Sequence, residues 1–375
     1  MDSTFPPYGI LIFCFFCFSL LIQLCYYLGV FSRLVFFKKK TPSSVDYPPV
    51  SVIICARNED DNIVQFLPLI LNQDYPNYQV VVVNDCSFDN TGDVLEEIAR
   101  REDRLKIVTI KPDDYYSHGK KFALMVGIKG AENDLLLLTD ADCKPVSNQW
   151  LKSMASNFTS EKEIVIGYGA HERSKGFLNK LIRYDGFYIA LQYLSFSIAG
   201  RTYMGVGRNL AYEKELFFRK KGFASHYQIL SGDDDLFVNE AATKNNVSVE
   251  LDPNSFTLTR SKKTWSEWVR QKKRHVTTWP HYKPMDKFLL GLLPFAQFLF
   301  FSCFLTLLVM HYMIYVVISV FVFRFLVQML IFNGAMRRLN EKDLLVYSPL
   351  MELILMFFYP ALALSNAFQK KNKWN

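Results

Sequence analysis

The sequence predicts an α/β protein, a mainly parallel sheet flanked by helices, with apolar membrane helices at its N- and C-terminal ends. Three observations predict it. Between Val50 and Leu138, short aliphatic, β-branched runs alternate with helical stretches, which calls for parallel strands joined by right-handed crossovers. Each run stops in a polar cluster, as strand ends do where an open α/β sheet binds ligands. Apolar blocks long enough to cross a bilayer stand on both sides of that region. The domain boundaries that follow are an N-terminal anchor with a basic flank over 1–40, a soluble domain over 41–285, and an apolar hairpin with a further hydrophobic segment and a basic tail over 286–375.

Tyr8 to Phe31 is apolar apart from Gln23 and small polar residues, and it lacks the small-residue cleavage site of a signal peptide, so it reads as a retained anchor. Arg33 and Lys38-Lys39-Lys40 follow it, whereas only Asp2 is charged before it, which places the next domain in the cytoplasm. The net charge of +7 is therefore partly membrane-facing and does not point to nucleic acid. Seven cysteines are divided between apolar segments (Cys14, Cys17, Cys25, Cys303) and the soluble region (Cys55, Cys86, Cys143), and no disulfide is expected in a cytoplasmic domain.

After a polar linker, Thr41 to Pro49, the run Val50–Cys55 is a buried strand, and Ala56-Arg57-Asn58-Glu59-Asp60 leads into a helix reaching about Leu71. Gln79–Val83 is the second strand, followed by Asn84-Asp85-Cys86 and a helix through Val94 to Arg101. Leu105–Ile110 is the third strand, Lys120–Lys129 a helix, and Leu135–Leu138 the fourth strand, stopping in Thr139-Asp140-Ala141-Asp142. On an extended strand Asp140 and Asp142 would point the same way and repel each other. Either this is an acidic turn, or a hard divalent cation shared with phosphate relieves the repulsion. Gly127 and Gly130 are packing or capping glycines. No G-x-G-x-x-G, P-loop, H-E-x-x-H or G-x-S-x-G is present, which excludes the commonest dinucleotide, NTPase, metalloprotease and hydrolase sites. His118 is read as loop filler.

Ile164–Tyr168 reads as another strand, and Asn179–Ala199 as an aromatic-rich helix that lies in the membrane interface, covers the acceptor channel or is a simple core helix. Ser231-Gly232-Asp233-Asp234-Asp235 opens a helix, where acids answer the helix dipole or serve as a base. Trp265–Trp279 is basic with interleaved tryptophans, but it precedes a membrane block. Phe288–Phe332 holds two spans turning near Met310-His311, with Arg324 facing protein, water or the interface. Leu344–Phe368, broken by Pro349, Glu352 and Pro360, is a kinked span, a re-entrant segment or an interfacial one. A full crossing there conflicts with the basic residues Lys370, Lys371 and Lys373.

The stretches PVSVIICARNEDDNI, VVVNDCSFDNTGD, GKKFAL and LLLLTDADC, in that order, resemble the family 2 inverting glycosyltransferases of GT-A fold. The resemblance implies a membrane-bound enzyme with its catalytic domain on the cytoplasmic face of the cell membrane, using Mg2+ or Mn2+ and a nucleotide-diphosphate sugar, chiefly a UDP-sugar. Carried over residue by residue, it puts Asn58, Glu59 and Asp85 at the nucleoside, with Asn84 and Cys86 departing from the family's Asp and Gly. Lys120, and less directly Lys121, fall at the diphosphate, Asp142 on the metal, and Asp140 on the metal and donor. Gly207 and Asn209 fall in the loop beneath the sugar and acceptor, and the family's general base falls on Asp234, with Asp233 on the acceptor side and Asp233 and Asp235 as competitors. Gln271-x-x-Arg274-His275 resembles the Q-x-x-R-W of processive polysaccharide synthases, with Gln271 and Arg274 at donor phosphates and His275 on the acceptor side; His275 replaces the family's Trp, and Trp268 or Trp279 would have to supply that surface. The expected function is sugar transfer with inversion to a lipid-linked or glycan acceptor in envelope or extracellular polysaccharide synthesis. The rivals are a processive polysaccharide synthase and a catalytically silent membrane scaffold.

Overall fold

The computed structural model describes residues 7–39, 47–111 and 119–368 of the chain. Lys40, most of the linker from Thr41, His118 and the basic tail at Lys370, Lys371 and Lys373 lie outside them. The chain forms two compact units, one of Lys38–His281 and one of Met1–Phe37 with Tyr282–Asn375. The second begins with helix α1 (Pro7–Leu24), which widens into a π-helical stretch, Cys25–Phe31, before α2 (Ser32–Val35).

The first unit is built on a seven-stranded sheet. In chain order its elements are β1 (Val50–Ala56), α3 (Asp60–Leu71), β2 (Tyr78–Asp85), α4 (Thr91–Ala99), β3 (Leu105–Ile110), α5 (Lys120–Gly130) and β4 (Leu135–Asp140). There follow β5 (Cys143–Pro145), α6 (Trp150–Ala155), β6 (Ile164–Ile166), β7 (Gly169–His171), α7 (Phe177–Ile198), β8 (Leu210–Glu213), α8 (Lys214–Arg219), α9 (Asp235–Ala241), β9 (Val247–Val249), β10 (Thr257–Thr259) and α10 (Trp265–Val276). The strand order is β3-β2-β1-β4-β8-β6-β9, and β5-β10-β7 form a separate small sheet. Strands β1 to β4 are mutually parallel where they pair, whereas β8 runs antiparallel to β4 and β6. This is the mostly parallel, helix-flanked sheet that the alternating pattern predicts. The strand expected over Ile164–Tyr168 stops at Ile166, and the chain crosses to the small sheet as β7.

Both faces of the central strands are covered, which is why they read as unbroken apolar runs. Val50, Val52, Ile54 and Leu137 share one buried cluster with Ile63 and Leu67 of α3 and Leu95 of α4. On the other face α5 lies close against the sheet at Gly127, where an added Cβ would come within 2.8 Å of Val83 Cγ2 and 2.9 Å of Ile53 Cγ2. Gly127→Ala is expected to destabilise this unit by about 1–3 kcal/mol, the usual effect of overpacking, seen as a lower Tm of the purified chain. In helix α7 the rings of Tyr184, Phe187, Tyr193 and Phe196 are all buried, so these aromatics pack into the protein and do not face a membrane interface.

The second unit continues with α11 (Pro284–Val309), α12 (Ile314–Arg338) and α13 (Ser348–Phe368). Tyr8–Val35, Pro284–Val309, Ile314–Arg338 and Lys342–Asn366 are each long and apolar enough to cross a membrane. The hairpin turns at Met310–Met313, where His311 and Met313 take left-handed φ values of 51° and 41°. The last segment, ambiguous in sequence, is one helix through Pro360. Its Glu352 explains Arg324. The guanidinium donates to Glu352 Oε1 at 2.5 Å and Oε2 at 3.2 Å, to Gln23 Oε1 at 2.9 Å, to Gln328 Oε1 at 2.6 Å and to the Tyr27 hydroxyl at 2.9 Å. Gln297 and Gln328 donate to the two Glu352 oxygens at 2.7 and 2.9 Å. Every apolar helix thus contributes to one buried polar cluster, and the arginine expected to face protein, water or the interface faces protein.

Candidate active site

The topology places a crevice between the carboxyl ends of β1 and β4. The connection from β1 leads to β2 on one side, whereas β4 lies on the other, so the loops after these neighbouring strands diverge and leave room for a ligand. Cys55 of β1 pairs with Asp140 of β4 at that edge. The strand-alternation argument for the two carboxylates needs correcting. Strand β4 ends at Asp140, and Asp142 sits in the turn that follows, so the turn and not the pleat brings them together. Ligand atoms of Asp140, Asp142 and Cys143 lie within 4.8 Å of one another. Burial pushes the Cys143 thiol well above its ordinary pKa, and its S–H donates to Asp142 Oδ1 at 3.3 Å. With the thiol protonated, the donors left are two hard carboxylates, a set that suits Mg2+ or Mn2+. Glu59 adds to the negative field. Burial, together with Asp142 and Asp140, raises its pKa despite a 2.6 Å hydrogen bond from Asn62 Nδ2.

Lys120, at the start of α5, bridges Asp140 Oδ1 at 2.8 Å and Asp233 Oδ2 at 2.9 Å. Against its burial, Asp140, Asp233 and Asp234 raise its pKa well above the lysine value, so it is a fixed positive charge in the crevice. Lys121 is turned away from the crevice. It donates to the carbonyls of His226 and Ile229 at 2.6 and 2.7 Å, and so holds the loop leading into the three aspartates.

Those three aspartates, indistinguishable by spacing, are sorted by their partners. Asp233 is the counter-ion of Lys120, which holds its pKa below the ordinary value in spite of burial. Asp235 is occupied, its Oδ1 accepting from the Leu236 N–H at 2.8 Å and its Oδ2 from the Thr278 hydroxyl at 2.5 Å. Asp234 caps α9 through Oδ1, accepts the Gly207 N–H at 2.7 Å through Oδ2, and meets no cation directly among the described residues. Burial, then repulsion from Asp233 and Asp235, pushes its pKa up to about 7.

At the far end of the crevice, Asn84 Oδ1 and Asp85 Oδ1 are buried without a hydrogen-bond partner among the described residues. Unpaired buried acceptors are costly unless a ligand N–H answers them. Asn58 sits at a left-handed φ of 55° and ties the loops together, its N–H donating to Ser87 Oγ and its Oδ1 accepting from Phe88 N, both at 3.0 Å. Its side chain is committed to that clamp.

On the remaining side, Gly207 delivers its N–H to Asp234, and Asn209 lies beneath it. Asn209 is fully buried, donating to the Tyr168 and Ser255 carbonyls at 3.1 and 2.8 Å and accepting from Trp150 Nε1 at 2.9 Å, so it supports the loop from the core. Helix α10 starts with a capping box between Thr264 and Glu267. Gln271, Arg274 and His275 are spaced to share one face of it. Lys272, from the same helix, makes a buried ion pair with Asp185 of α7. Trp268 is fully buried and cannot offer the aromatic surface considered for it, whereas Trp279 is 39% exposed. Sequence reasoning assigned no role to Arg208 or His171, paired at 3.2 Å through Nη1 and Nε2; the only signal was Arg208's place between Gly207 and Asn209.

Residues 51–218 match the family model described as Glycosyl transferase family 2. The chain is 27% identical over 261 residues to the probable glycosyltransferase YdaM of Bacillus subtilis, covering 66% of this chain and 60% of that protein. It is 30% identical over 124 residues to the beta-monoglucosyldiacylglycerol synthase of Nostoc, covering 32% and 26%. Each match thus spans less than two thirds of the relative's own length. The solved structure of the mannosyltransferase PcManGT from Pyrobaculum calidifontis, in complex with GDP-Man and Mn2+, superposes with a TM-score of 0.59 at 18% identity, over 92% of this chain and 98% of that one. A mostly parallel sheet, two carboxylates at the end of β4 and in the turn after it, and these likenesses lead to one conclusion: residues 51–218 match the glycosyl transferase family 2 in a GT-A-like fold, and the described residues also hold four apolar helices.

Proposed function

We propose that the protein is a membrane-bound, inverting glycosyltransferase that moves a sugar from a nucleotide-diphosphate sugar, chiefly a UDP-sugar, to a lipid-linked or glycan acceptor. The observation that carries this reading is the sorting of charges around Lys120, with Asp140 and Asp233 on the lysine and Asp234 left beside it as a carboxyl poised near pH 7. Asp85 and Asn84, with their unanswered acceptors, take the nucleobase edge, and Asn58 and Glu59 shape the nucleoside side. The diphosphate lies toward Lys120 and Arg274, whose positive charges stabilise it as the glycosidic bond breaks, with the Gln271 amide as a neutral hydrogen-bond donor beside them. A divalent ion bound by Asp142 and Asp140 would offset further charge on that leaving group. Asp234 takes the acceptor hydroxyl's proton while the hydroxyl oxygen attacks the anomeric carbon from the face opposite the departing diphosphate, which inverts that centre. The Gly207 N–H aims the carboxylate, and Asp233 and His275 border the acceptor. The basic residues that follow the first apolar helix, Arg33, Lys38 and Lys39, support a cytoplasmic catalytic unit, since positive flanks favour that side of a membrane. His275, in place of an acceptor-side tryptophan, favours addition of one sugar over processive synthesis.

The test is Asp142→Ala. Nucleotide binding by the purified chain should lose its dependence on Mn2+, and transfer should fall by at least about 10²-fold, the scale of losing one electrostatic contact in such a site. Undiminished turnover would reject the assignment, and release of nucleotide across a panel of nucleotide sugars would identify the donor.

A further inference from the structure

Arg208 is a cation with no task in the scheme above. It lies in the Gly207–Asn209 turn, directly after the residue that aims Asp234. Its carbonyl is pinned twice, accepting from the hydroxyls of Thr139 at 3.1 Å and Thr257 at 3.0 Å. Its half-buried guanidinium pairs with no carboxylate among the described residues, and its one side-chain hydrogen bond there is with the imidazole of His171. Burial, and then the charges of Arg208 and Lys272, keep that imidazole neutral, so it accepts from Arg208 without balancing its charge.

The pair is also seated with care. A Cβ on Gly169 would fall 3.1 Å from Arg208 Cβ and 3.2 Å from Arg208 Nε, and one on Gly186 would fall 3.1 Å from His171 Cδ2. Two glycines therefore leave the space that the arginine and its histidine fill. The neighbouring cations do not neutralise one another: Lys272 is matched by Asp185, whereas Arg274 has no carboxylate partner among the described residues. Withdrawing a guanidinium partly from water with no counter-ion is unfavourable, and its planar fork suits two oxygens of a phosphate.

We propose that Arg208, braced by His171, is an anion-binding residue that holds phosphate oxygens in the space between the Asp140–Asp142 carboxylates and Asp234. This rests on the glycosyltransferase reading, and it adds a phosphate contact outside the Lys120 pole. The phosphate has two sources of the same chemistry, the donor's diphosphate or a phosphate joining an acceptor to its lipid.

The test is direct binding to the full-length chain in detergent, with two probes: UDP with Mn2+, and farnesyl phosphate. Arg208→Gln should weaken at least one of them tenfold or more, while the melting temperature stays within a few degrees of wild type. Loss on UDP alone assigns the donor phosphate, loss on farnesyl phosphate alone assigns the acceptor's, and loss on both means the site serves each in turn. If Arg208→Gln does not fold, Arg208→Lys decides, because an ammonium keeps the charge but lacks the fork: a loss of fivefold or more supports the proposal. Binding of both probes within twofold of wild type in the folded variant, or a wild type that binds neither probe, overturns it. Neither readout needs turnover, so a chain that binds through Arg208 yet transfers no sugar would defeat the transferase reading alone.

Discussion

Asp234→Asn is expected to lower kcat by about 10²–10⁴-fold while leaving Mn2+-dependent nucleotide binding unchanged, the signature of losing a general base and nothing else. Asparagine keeps an oxygen to accept the Gly207 N–H but cannot take a proton. The pH dependence follows from the same carboxyl. With its pKa pushed up to about 7, Asp234 is protonated and idle at low pH, so activity should rise as pH increases through about 7, and Lys120, whose pKa is raised, stays charged throughout. Stability runs the other way. A folded-state pKa above the unfolded value means that the folded chain binds the proton more tightly, so folding loses stability as pH climbs from about 4, the ordinary aspartate value, through about 7. Asp234→Asn should therefore melt higher than wild type at pH 8 and equal to it at pH 4. If Asp235→Asn eliminates transfer instead, with Asp234→Asn active, the base is the neighbour.

The second large effect lies among the apolar helices. Glu352→Ala removes the counter-ion of a guanidinium whose side chain is only 2% exposed, and truncating one partner of such a pair costs about 3–5 kcal/mol. The variant should melt well below wild type in detergent. The double variant Arg324→Leu/Glu352→Leu should recover most of that loss, because it withdraws both charges and leaves apolar side chains of similar bulk. A single variant as stable as wild type would show that the glutamines alone satisfy the arginine.

How much of this was legible beforehand depended on whether a residue's role was set nearby or far off in the chain. The three central parallel strands could be read because burial on both faces writes continuous apolar runs, as in Leu135–Leu138, and the edge strand Leu105–Ile110 because it is β-branched and bounded by helices. The strand at Ile164 was legible but stops two residues early, as β6, whereas the three-residue β9 is too short to carry a pattern and its place follows from pairing with β6. The roles within Asp233-Asp234-Asp235 could not be separated by spacing, because they are set by Lys120, Gly207 and Thr278. The family resemblance pointed to Asp234; in the structure Lys120 engages Asp233 and Thr278 engages Asp235. Lys121 looked like Lys120 in sequence, yet adjacent positions at the helix start send Lys120 into the crevice and Lys121 under a loop. Glu352 read as a defect in an apolar segment because nothing local shows that Arg324 waits for it.

That last pairing imposes an order on how the chain enters the membrane. Gln23, Tyr27 and Gln297 precede Arg324 in synthesis, and Glu352 follows it by 28 residues. At 5–20 residues per second, that gap lasts on the order of a few seconds. During it the arginine has amides and a phenol as hosts but no anion, and the insertion machinery must accept a helix-centre charge worth about 2.5–3.5 kcal/mol. The two early glutamines are thus temporary lodging for the charge, and only the helix that carries Glu352 closes it with an anion.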